Sequence, residues 1–95
     1  MIFLKCNQFK EALKQLREVE YIERQVYGDN SNQLAKTLKV IGTLQIILGN
    51  RDEARVSLNE ALMVFELKGQ TKLARETMTK LKAISKAKGA LGISD

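Results

Sequence analysis

GNRDEARVSLNEALMVF, Gly49 to Phe65, is the stretch on which the reading of this chain turns. Ala54, Leu58, Ala61, Leu62 and Phe65 fall at i, i+4, i+7, i+8 and i+11, the apolar stripe of an amphipathic helix. Asn50 with Glu53 three residues later has the form of a capping box, in which the Asn side chain accepts a backbone N–H at the helix start. NQFKEALKQLREVEYI, residues 7–22, repeats the form. Glu11-Ala12 matches Glu53-Ala54 and Leu16 matches Leu58, at a spacing of 42 residues. A fixed period of that length signals stacked helical units, an architecture used mainly for binding.

Outward from this stretch, the spacing predicts four helices. The first runs from about Gln8 to Tyr27, with Phe9, Ala12, Leu13, Leu16, Val19 and Val26 inward and a Glu20–Arg24 pair on the wet side. Residues 1–6 read as the tail of a preceding helix, and Gly28 as the stop before a polar turn, Asp29 to Asn32, that supplies caps. The second helix, about Gln33 to Leu48, is apolar most of the way round and so belongs in the centre, with neighbours before and after it. Gly42 in its interior costs about 1 kcal/mol against alanine, which points to a close helix approach there. Helix three runs from about Arg51 to Lys68 and helix four from about Thr71 to Lys88, with Met78, Leu81 and Ile84 inward. They correspond to Leu38, Ile41 and Leu44 at an offset of 40 residues, and Gly89 falls where Gly49 does. The expected organisation is one repeat domain over residues 1–89, incomplete at its start, and a flexible tail over residues 90–95.

Composition narrows the chemistry. An apolar fraction of 44% with 28% charged residues suits a globular chain, and no apolar run reaches the roughly 18 residues of a membrane span. With a single cysteine, Cys6, and no histidine, the usual zinc sets and histidine-based triads cannot be built. Cys6 reads as packing, and the compartment as reducing and cytoplasmic. No glycine-rich phosphate loop is present, and Glu18, Glu20 and Glu23 read as surface charge rather than an acid–base pair. No enzyme, cofactor or metal is expected. The net charge of +5 is concentrated late: residues 1–70 hold ten Lys/Arg against nine Asp/Glu, residues 71–95 six against two. Helix four is therefore a thin apolar stripe with a strongly basic outer face, as a solenoid's last helix needs.

These residues resemble the tetratricopeptide repeat. That family's pattern of a large residue, Leu-Gly, an aromatic, Ala, an aromatic and Ala reads here as Leu38, Ile41-Gly42, Gln45, Ala54, Leu58 and Ala61. Gln45 and Leu58 replace rings, and Glu66 stands where many repeats have proline. The 42-residue period, LAKTL after a Gly-Asp turn, and the GNRDEA entry look like the kinesin-light-chain type, over about Phe3 to Gly89. The resemblance implies an all-α solenoid of about two helix pairs, acting as a non-catalytic adaptor or scaffold that holds a peptide or helix in a concave groove. Carried over, the groove consists of Lys36, Lys39, Val40, Thr43 and Ile47 on helix two, with Thr79, Lys80 and Ala83 on helix four; aligning LAK with LAR instead shifts the latter set by one residue. Val40 replaces the asparagine such repeats favour, and Glu76 falls where a carboxylate clamp needs a base, so a clamp for a chain-terminal carboxylate is not expected. The expected partner is a protein segment with acidic residues and apolar anchors; self-association through the exposed end of the incomplete first pair is the other expected contact. A different class, docking of the basic fourth helix on an anionic membrane, nucleic acid or acidic protein, is the alternative; without an aromatic to insert or stack, membrane and nucleic acid fit it poorly.

Overall fold

Two of the chain's turns close in the same way. After helix two, Gly49 takes φ +85° and its N–H bonds Ile46 O, while Asn50 N–H bonds Gln45 O at 2.7 Å. After helix three, Gly69 takes φ +72°, its N–H bonds Glu66 O, and Gln70 N–H bonds Phe65 O at 2.8 Å. Each is a Schellman ending, for which glycine is the unstrained choice. The computed structural model describes the backbone of residues 2–92 and the side chains of residues 7–85. It contains α1 Ile2–Tyr27, α2 Asn32–Ile47, α3 Arg51–Leu67 and α4 Thr71–Gly92, with no strand among the described residues. Each helix packs on the next, and α2 also touches α4, so α2 is the central element that its sequence called for.

The buried side chains come mostly from α2 and α3. Leu34, Ala35 and Leu38 interlock with Ala61, Val64 and Phe65, and Leu73 and Ala74 of α4 close over them. Ala54 and Leu58 form a second cluster with Ile84, flanked by Ile46 and Leu81. Full burial of a Leu or Phe contributes roughly 1.5–3 kcal/mol, so these clusters hold the α2–α4 unit together. The close approach at Gly42 is real: a Cβ there would stand 2.6 Å from Leu58 Cγ and 3.4 Å from Ala54 O. The ring missing at Gln45 is replaced by a polar tie. The Gln45 side chain is fully buried; with both ends of its amide satisfied, Nε2 donates to Glu53 O and Ser57 Oγ while Oε1 accepts from Arg17 Nη2 at 2.9 Å. Three helices thereby meet at one buried amide.

Several expectations are corrected. Ile2 to Tyr27 is one continuous helix, because Cys6-Asn7-Gln8 contains no glycine or proline to end it; the side chain of Cys6 lies outside the described residues. Val19 and Val26 are exposed, since α1 packs on α2 along one face only. Asn50 stands at the N-cap of α3 but makes no capping hydrogen bond, whereas Ser31 Oγ accepts from Leu34 N at 3.0 Å and caps α2. In α4, Met78 is partly exposed and Thr77 is buried instead, which favours the 39-residue offset that superposes Leu73-Ala74-Arg75 on Leu34-Ala35-Lys36. Gly89 does not end α4, which continues to Gly92; Ala90 and Leu91 favour helix, unlike the polar residues after Gly49 and Gly69. Residues 93–95 of the expected tail lie outside the described residues.

Candidate partner-binding surface

Alternate helices are joined by ion pairs, one between α2 and α4 and one between α1 and α3, in a molecule whose smallest extent is 18 Å, about two helix layers. On one side, α2 and α4 meet where Lys39 Nζ donates to Glu76 Oε1. This contact holds the Glu76 carboxyl below its ordinary value, first through the hydrogen bond from Lys39 and then through that lysine's charge. A shallow depression of about 300 Å³ lies at this seam, lined by Lys39, Glu76, Thr79 and Lys80.

The face of α2 leading to this seam carries Lys36, Val40, Thr43 and Ile47. Val40 is 48% exposed and Ile47 51%, both large apolar groups facing water rather than a neighbouring helix. The Thr43 hydroxyl donates to Lys39 O at 2.9 Å, so it is turned onto its own helix. On α4, Thr79 does the same to Arg75 O, Lys80 is half-buried and Ala83 is exposed. The structure thus brings Lys39 together with Thr79 and Lys80, leaves Val40 and Ile47 open along α2, and neutralises Lys39 through Glu76. The sequence reading missed that last point, although the two residues sit on facing helices with opposite charge.

The other side holds a cluster that the sequence read only in part. Arg24 Nη1 and Nη2 donate to the two carboxylate oxygens of Glu60 at 2.8 and 3.0 Å, and the same guanidinium bonds Glu20 and Asp29. The Glu20–Arg24 pair therefore faces α3 rather than open water, and the Glu60 bond is the main reason Arg24 holds its proton more tightly than usual. A cleft of about 320 Å³ between α1 and α3, floored by Leu38, opens beside it. Arg17, Glu20, Arg24 and Glu60 there are already paired with one another, so the cluster fastens α1 to α3.

Among the described residues there is no group of three or more His, Cys, Asp and Glu placed to hold a metal ion. No helix among them is long and apolar enough to cross a membrane. Compared with protein-family models, curated proteins and solved structures, the chain matches none.

Proposed function

We propose that this chain is a tetratricopeptide-like helix-pair solenoid, similar to the kinesin-light-chain type, that works as a non-catalytic protein-interaction module. The face formed by α2 and α4 receives an extended or helical segment of a partner. The supporting observation is the exposure of Val40 and Ile47, two turns apart on one face of α2 and beside the Lys39–Glu76 seam. Large apolar groups left open on an ordered helix, rimmed by charge, suit a docking surface. The anchors of the partner would sit on Val40 and Ile47, and its acidic groups would meet Lys36 and Lys80, because Lys39 is engaged by Glu76.

Affinity follows the apolar anchors more than the charges, since a surface lysine contributes about 0–1 kcal/mol and is screened by salt. Val40→Glu should abolish binding of a captured partner, and Lys36→Ala with Lys80→Ala should weaken it moderately and flatten its salt dependence. Docking through the cations of α4 alone demands the opposite: loss on neutralising Lys72, Arg75 and Lys82, with Val40→Glu without effect. Capture that survives Val40→Glu in a folded protein rejects the proposal.

A further inference from the structure

We propose that copies of this chain associate head to tail, the outer face of α1 on one copy docking against the open edge of α4 on the next. Its α4 half borders the α2–α4 face described above, since at the 39-residue offset Arg75 and Lys82 stand where Lys36 and Thr43 do. On α1, Val19, Ile22 and Val26 form a stripe at i, i+3 and i+7, exposed to 39%, 57% and 65%. The 42-residue period makes Val19 and Ile22 the counterparts of Ala61 and Val64, which α3 buries in the α2–α3 core. The face with which α3 packs on a helix is thus present on α1 and uncovered.

The other end of the molecule carries a matching surface. Ala74, Met78, Leu81 and Ser85 lie at i, i+4, i+7 and i+11 on α4, with Ser85 exposed, Ala74 and Leu81 half-buried, and Met78 38% exposed. At the 39-residue offset, Ala74 and Leu81 occupy the places of Ala35 and Gly42, and Gly42 is where α2 meets Leu58 of α3. The edge of α4 that a following helix would use is therefore open as well.

Charge selects between the ways two copies could meet. Glu11 and Glu18 are exposed along the edge of the α1 stripe, while Arg75 and Lys82 are exposed along the edge of the α4 stripe. Pairing α1 with α1 would bring carboxylate rows together, and pairing α4 with α4 would bring cations together. Pairing α1 with α4 joins opposite charges and favours this register. Such an interface is heterologous: each association leaves one copy of each surface free, so assembly is open-ended rather than a closed dimer. One helix laid against another falls at the small end of interface sizes, so the association is weak and concentration-dependent.

Sedimentation velocity on the full chain, from about ten micromolar to about one millimolar, tests this directly. The weight-average mass should rise with concentration and fall as salt is raised from about 0.1 M to about 1 M. Ile22→Lys and Met78→Glu, both at surface positions, should each lower the association constant at least about tenfold. An equimolar mixture of the two should associate again at least to a dimer, because the intact α4 of the first and the intact α1 of the second still pair. Circular dichroism checks that each variant is folded, and Val26→Lys replaces Ile22→Lys if that one is not. A chain monomeric throughout, a dimer indifferent to Met78→Glu, or a mixture that stays monomeric would each overturn the proposal.

Discussion

Leu58 fills the space that a side chain at Gly42 would need: a Cβ on Gly42 would come within 2.6 Å of Leu58 Cγ and 2.8 Å of Cδ2. Leu58 is itself fully buried and has little room to withdraw. Gly42→Ala should therefore destabilise the chain by about 1–3 kcal/mol in urea melts, despite the gain in helix propensity, and Gly42→Leu by more. Leu58→Ala should cost less in the Gly42→Ala background than in the wild-type chain, giving a coupled double-mutant cycle. Strict additivity would show that the two residues do not compete for space.

The two interhelical caps differ in a measurable way. Ser31 Oγ holds Leu34 N, so Ser31→Ala should cost about 1 kcal/mol. Asn50 makes no such bond, and Asn50→Ala should cost distinctly less in the same denaturation assay.

Arg24 joins α1 to α3 through Glu60 and to its own helix through Glu20. After allowance for solvent screening, Arg24→Gln should destabilise by about 1–2 kcal/mol. Amide exchange should quicken in α1 more than in α2 or α3. Equal acceleration in all helices would contradict the fastening role.

Glu76 titrates below its ordinary value of 4.5 because Lys39 bonds its ionised form. A carboxyl depressed in the folded state contributes stability above its unfolded pKa and loses it as pH falls through the folded pKa. The α2–α4 contact should therefore weaken on acidification below about pH 4.5. Glu76→Gln should remove that part of the acid dependence, as read from denaturation midpoints between neutral and acid pH.

The helices were legible because their signals are local: Gly28, Gly49 and Gly69 stop α1, α2 and α3, and the apolar periods of α2 and α3 place the core. Gly42 was legible for the same reason, an interior glycine whose propensity cost needs a packing cause. What stayed hidden depends on which helix faces which. Val19 and Val26 have an inward spacing yet stand exposed, and the Arg24–Glu60 bond spans 36 residues. Gln45 read as a departure from an aromatic position, yet Ser57 and Arg17 supply it with partners that only the fold brings near. Of the candidate surface, spacing gave Val40 and Ile47 a common face, while the neutralisation of Lys39 by Glu76 required the packing of α4.

Amide chemical-shift mapping with ligands selected for the whole chain tests the central claim most directly. Peptides chosen from a random display library on the wild-type chain, with counter-selection on Val40→Glu, should combine acidic residues with one or two large apolar anchors. Titrated into isotope-labelled protein, they should perturb Lys36, Val40 and Ile47 of α2 together with Thr79 and Lys80 of α4. Perturbations confined to α4, or selected peptides that bind Val40→Glu as tightly as wild type, would contradict a docking surface on α2 and α4.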